Sequence, residues 1–301
     1  MKGIALQFVV MALILANAKI GAEVNRTPVD DEAFSLIADY FEYDRSLPLR
    51  EEVISTQTHD GRALPYLTDK VHFRSIRDEA VIGYFAYQRD SSDTKYPTVI
   101  LLHGNNRYRG SQDDWTPSWL DVLAREGYCV LAMDQYGYGD RFVTGKAPSF
   151  VGNMGPYEKR DVTIQWVVDA RRAIDYLHTR SEVDTNRVAL MGSSLGGLVS
   201  CLAAGLESRL KSVVLVSTFS RPRDGATDDR FLRLSHMLNF APRIKASVLM
   251  VSATQDGVEN CKELFQVLPE PKKIMWHESE HVILMDEYKA DVSEWLSQNF
   301  R

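Results

Sequence analysis

The sequence Gly192-Ser193-Ser194-Leu195-Gly196-Gly197 joins an apolar run at 187–191 to a stretch of small and apolar residues at 195–206. This reads as strand, abrupt turn, helix. In G-x-S-x-G the central serine sits on a turn so sharp that the residues two before and two after it must lack side chains. Gly192 and Gly196 meet that demand around Ser194. Ser193 does not qualify, because Met191 and Leu195 would then fill the crowded places. The turn sets Ser194 at a helix N-terminus, where N–H groups and the helix dipole favour a developing anion.

The chain around this turn alternates strands and helices. Residues 71–76 and 80–87 alternate apolar and polar side chains, as half-buried antiparallel strands do. Residues 98–102 and 128–133 are apolar runs suited to strands covered on both faces, 187–191, 211–216 and 247–251 read as strands, and 273–276 is a short strand. Helical spacing marks 119–127, 157–178, 195–206, 231–238, 258–267 and 283–300. A mixed, mostly parallel sheet with helices on both sides follows, and its ligands bind beyond the carboxyl ends of the strands. Residues 23–66 are polar and mixed, with a short amphipathic helix over 31–43; they read as an extension packed on the outside of a domain spanning 67–301.

Three other strand ends carry reactive or donor groups. A serine hydroxyl needs a base, and the base an orienting acid, in the order Ser, Asp or Glu, His on such a sheet. Asp256 lies in the turn after 247–251, and His281 heads the loop before the last helix. Ser194 reads as nucleophile, His281 as base and acid, Asp256 as the orienting group. His277 is a rival base and Asp224 a rival acid. After 98–102 comes His103-Gly104-Asn105-Asn106. Acyl transfer needs two donors aimed at the oxyanion; the N–H groups of Leu195 and Asn105 are the candidates, with His103 bracing the loop. The fourth strand end, Asp134-Gln135-Tyr136-Gly137-Tyr138-Gly139-Asp140-Arg141, lies beneath the site. There Asp140 and Arg141 pair with each other or meet a polar substrate.

These motifs resemble the α/β-hydrolase superfamily over 71–301. The stretch Val168-Asp169-Ala170-Arg171-Arg172-Ala173-Ile174-Asp175-Tyr176-Leu177, followed by Glu182-Val183-Asp184 and Arg187-Val188, is similar to the dienelactone hydrolase and acetyl-xylan-esterase-like branch. The resemblance implies an eight-stranded sheet and ester hydrolysis. The chain departs from the family's pattern at Ser252–Gln255, which lacks the usual glycine, and at Glu280, which replaces a glycine before the histidine. Dienelactone hydrolases proper use a cysteine nucleophile where this chain has serine.

The expected activity is that of a serine carboxylesterase for small or sugar-linked esters, with no metal or organic cofactor. The alternatives are a serine peptidase or amidase, and a non-catalytic binding protein of the same fold. The short stretch between 216 and 247 leaves little room for a lid.

The remaining readings concern location and partners. The chain has 301 residues, 35 Lys and Arg against 41 Asp and Glu, and a formal charge of −6, which excludes the basic face of a nucleic-acid binder. Lys2 precedes an apolar run over 4–15, shorter than the about 20 residues that span a bilayer. Ala16-Asn17-Ala18 then supplies small residues for signal cleavage after 18, with a second option after Ala22. The reading is a secreted or periplasmic protein with no stable membrane insertion after cleavage. Asn25-Arg26-Thr27 is a glycosylation sequon. Cys129, Cys201 and Cys261 form no CxxC pair and read as buried thiols.

Overall fold

The computed structural model describes residues 27–61, 64–88, 93–106, 108–142, 155–220 and 234–300. The signal-peptide reading, Asn25 and Asp224 fall outside them. Among the described residues, no helix is long and apolar enough to cross a membrane.

The strands are β1 Glu52–His59, β2 Tyr66–Arg74, β3 Ala80–Gln88, β4 Tyr96–Leu102, β5 Cys129–Met133, β6 Val183–Ser193, β7 Leu210–Val216, β8 Ser247–Ala253 and β9 Lys272–His277. They form one sheet in the order β1-β2-β3-β5-β4-β6-β7-β8-β9. β1, β2 and β3 are antiparallel, β3 meets β5 antiparallel, and every pair from β5 to β9 is parallel. The order turns at β4, which pairs with β5 on one side and β6 on the other. That reversal opens a crevice at the strand ends. Leu102 lies beside Gly192, so the loops after β4 and β6 meet there.

The helices are α1 Asp31–Ala38, α2 Trp115–Arg125, α3 Pro156–Leu177, α4 Leu195–Leu206, α5 Met237–Phe240, α6 Val258–Val267 and α7 Met285–Asn299. The pleat sends successive β4 side chains to opposite faces. Ile100 and Leu102 join the core built by α3 and α4, with Val167, Ile174, Val199 and Leu202. Val99 and Leu101 join the core built by α2 and α7, with Trp119, Leu123, Val292 and Leu296. β5 and β8 are buried along their whole length, which is why they read as unbroken apolar runs. The three cysteines are free and buried.

Two expectations change. Among the described residues the sheet has nine strands, not eight, because 52–59 joins it as the edge strand β1. Seven of its eight residues are exposed, so neither face carries the apolar alternation that marks a strand. The helix expected over 231–238 is interrupted: Leu234 is helical, 235–236 are not, and α5 begins at Met237, while residues 231–233 lie outside the described set. Elsewhere in the 23–66 stretch, Phe41 is buried with its ring 5.5 Å from that of Phe240. Arg171 of α3 donates to the Phe41 carbonyl at 2.7 Å. At the far end of α3, Asp175 accepts from Arg172 at 2.9 Å and from Arg209 at 2.7 Å, and Arg209 also grips Glu207 at 2.7 Å.

Candidate active site

The link between β6 and α4 is a single residue. Ser194 has φ +51° and ψ −107°, a conformation that costs a non-glycine residue about 1–3 kcal/mol and persists only when its surroundings impose it. Here the surroundings do. The Ser194 N–H donates to the Val216 carbonyl of β7 at 2.9 Å, and the Ser194 carbonyl accepts from the Leu198 N–H at 3.0 Å. A Cβ on Gly192 would run into the Gly196 backbone, and one on Gly196 into the Leu102 carbonyl. Any larger residue at either place would push α4 off the sheet and lower Ser194 into it.

The neighbouring strands bring up the other two groups. β8 and β9 pair to Ala253 and His277, and the pairing continues past the strand ends: Thr254 N–H to His277 O at 2.9 Å, Gln255 N–H to Ser279 O at 3.0 Å. The Ser279 hydroxyl then donates to the Val282 carbonyl at 2.7 Å and closes the turn around His281. Gly257 takes the left-handed conformation, φ +59°, and starts α6 directly after Asp256. His281 Nδ1 lies 2.5 Å from Asp256 Oδ2, and His281 Nε2 lies 2.8 Å from Ser194 Oγ. An ionised carboxylate only accepts, so Nδ1 carries the proton and Nε2 is the acceptor for the serine hydroxyl. Both departures from the family pattern are accommodated. Thr254 and Gln255 make the turn before Asp256 without a glycine, and Glu280 is exposed to solvent.

The loop after β4 passes close over the elbow. A Cβ on Gly104 would stand 3.6 Å from that of Ser194. His103 is fully buried, and burial pushes its imidazole below the ordinary histidine pKa. Its Nε2 accepts from the Gln135 N–H at 3.1 Å, so Nδ1 is protonated and donates to the Gly104 carbonyl at 2.7 Å. The Gln135 amide returns a hydrogen bond to the His103 carbonyl at 2.7 Å. Tyr138 donates its hydroxyl to Asn105 Oδ1 at 2.9 Å, and its ring packs edgewise on His103 at 5.0 Å. Asn105, the residue after Gly104, is thus fixed by the loop after β5. Leu195, first residue of α4, has an N–H without an acceptor inside the helix.

The other flagged residues lie elsewhere. His277 packs its ring 6.1 Å from that of Tyr288, with Nδ1 3.9 Å from Glu287, rather than on Ser194. Asp140 and Arg141 do not pair with each other. Asp140 binds Lys70 at 2.5 Å, and Arg141 forms a buried pair with Asp169 of α3 at 2.8 Å. The Tyr136 ring lies under the Arg141 guanidinium at 5.4 Å. The sequence reading missed Gln135, Ser217 and Phe219. Phe219 follows β7, and its ring is 6.4 Å from that of His281 at 87°. Its place just past a strand end was the one signal that could have found it.

A sheet with its crevice between β4 and β6, a strained serine at that crevice and a carboxylate–imidazole pair beside it define a class. The profile of the alpha/beta hydrolase family matches residues 99–282, and the chain belongs to that family. It is 35% identical over 127 residues to YtaP of Bacillus subtilis (strain 168), covering 39% of this chain and 42% of that protein. The match therefore spans less than half of that relative. YfhR of Escherichia coli O157:H7 is 24% identical over 255 residues, 78% of this chain and 81% of its own length. Among solved structures, the acetyl xylan esterase from Paenibacillus sp. R4 superposes with a TM-score of 0.74 at 21% identity, covering 91% of this chain and 98% of that one. That likeness is one of fold.

Proposed function

We propose that this hydrolase is a serine carboxylesterase acting on small or sugar-linked esters. The observation that carries the reading is the 2.8 Å approach of His281 Nε2 to the hydroxyl of Ser194, which the elbow holds in a conformation serine does not adopt unaided. Ser194 Oγ attacks the ester carbonyl as His281 takes its proton. Negative charge develops on the carbonyl oxygen, and the N–H groups of Leu195 and Asn105 meet it. The tetrahedral species collapses, the C–O bond to the alcohol breaks, and His281 returns its proton to the departing alcohol. Water, deprotonated by His281, then attacks the acyl-serine and releases the acid. Asp256 keeps the imidazole oriented and stabilises the imidazolium formed at each step. The acetyl xylan esterase fold supports ester substrates, and the apolar N-terminal run supports export to a secreted or periplasmic location.

The test is hydrolysis of p-nitrophenyl acetate, butyrate and octanoate by the wild type and by Ser194→Ala. We expect turnover to fall by about 10⁴-fold or more in the variant. A fluorophosphonate should label the wild type alone. Equal rates in both proteins would overturn the reading. Ser194-dependent cleavage of peptide amides in preference to esters would replace it with a serine peptidase.

A further inference from the structure

We infer that Phe219 is a positioning residue that holds the imidazole of His281 in register with Asp256 and Ser194. The inference rests on the serine-hydrolase reading above and assigns a part to a residue outside the triad.

His281 stands on a loop, and its side chain is 47% exposed. Two hydrogen bonds fix its ring nitrogens, but hydrogen bonds to a loop residue leave the ring free to tilt. Phe219 supplies a side wall, ring against ring at 6.4 Å and 87°. The same phenyl ring reaches the acid. A Cβ on Gly257 would come within 2.9 Å of Phe219 Cγ, Cδ1 and Cδ2, so the ring lies directly on the glycine that follows Asp256. One side chain thus touches the base and the backbone turn that carries the acid.

The segment bearing Phe219 is built to hold it still. Ser217 leaves β7 with φ +48°, and its N–H donates to the Val251 carbonyl of β8 at 2.8 Å. Thr218 donates its hydroxyl to the Val216 carbonyl at 2.8 Å and abuts Gly197 in the first turn of α4. The Ser220 hydroxyl is anchored on α6, 2.9 Å from Glu263 Oε2 and 3.2 Å from the Asn260 carbonyl. Each neighbour of Phe219 is tied to a different element, and those elements are the ones that carry Ser194 and Asp256. Backbone strain of this kind marks positions whose geometry is imposed rather than accidental. The arrangement makes Phe219 a brace across the strand ends of β7, β8 and β9.

The experiment compares wild type, Phe219→Ala, Phe219→Leu and Ser194→Ala on p-nitrophenyl acetate, with kcat and KM separated. Thermal unfolding on each protein verifies the fold. A misplaced catalytic group costs on the order of 10²-fold, so Phe219→Ala should lose about 10- to 100-fold in kcat with KM little changed. Its inactivation by a fluorophosphonate should slow in the same proportion. Phe219→Leu, which refills the wall, should recover most of the loss. Unchanged kcat with raised KM would make Phe219 a substrate wall and overturn the inference, as would wild-type kinetics in folded Phe219→Ala. Turnover that survives in Ser194→Ala would instead overturn the serine reading, and the two failures are told apart by which variant shows them.

Discussion

At Gly196 a single methyl group decides whether the elbow can exist, because it would enter the space of the Leu102 carbonyl. Gly196→Ala should abolish fluorophosphonate labelling even where circular dichroism shows the fold intact, since relief of the clash moves α4 and Ser194 together. Tyr138→Phe is a milder test. It removes the donor to Asn105 Oδ1, a bond worth about 1 kcal/mol, while leaving the ring on His103. We expect kcat to fall by up to about 10-fold at constant KM, as Asn105, the proposed oxyanion donor, loosens. Ser194, Asp256 and His281 were legible as letters because each occupies a strand end and must be one of few residue types. Gln135 and Phe219 were not. An amide or a phenyl ring has many uses, and only the fold shows that these two face the loops they steady.

Elements were legible where burial leaves a pattern in the sequence. Helices α4 and α6 begin and end at the residues the periodicity gives, and the buried strands of the sheet centre fall within a few residues of expectation. β1 escaped because an exposed edge carries no pattern for burial to select. Arg141 and Asp169 teach the complementary lesson: two charges far apart in sequence form one buried contact between α3 and the loop after β5. The pair's side chains are 4% and 0% exposed. Asp169→Ala would strand the guanidinium, and loss of one partner from a buried pair costs about 3–5 kcal/mol. The urea midpoint should drop accordingly, with ester turnover at low denaturant retained.

For the molecule as a whole, acid is the predicted weakness. Burial alone would raise the Glu207 carboxyl, but the hydrogen bonds and charge of Arg209 outweigh it and hold the pKa below the ordinary 4.5. The unfolded chain therefore takes up this proton first, so the stabilisation is present above 4.5 and lost as pH falls through the lower folded value. His103 works in the same direction higher up the scale. Burial holds it neutral, so below its ordinary 6.5 the unfolded chain binds a proton that the folded one refuses. The Tm should fall continuously from about pH 7 downward, and Glu207→Gln should flatten the part of the curve below about pH 4.5. Activity should fall in acid too, as folded molecules are lost. Differential scanning fluorimetry across pH, beside initial rates, checks both.

The three cysteines give this chain an internal clock. Cys129, Cys201 and Cys261 are the only thiols in the sequence and all lie in the interior. Burial raises each thiol, that of Cys129 to about 12, so little thiolate exists even where a reagent arrives. The intact fold is therefore silent to a thiol reagent, and colour develops only as molecules open. Cys129 lies on β5, Cys201 on α4 and Cys261 on α6, so the order in which they react would time the opening of the sheet centre, the elbow helix and the acid-bearing edge separately. A cysteine placed at any surface position would be the sole site of immediate labelling, which makes the native sequence a ready background for attaching a probe.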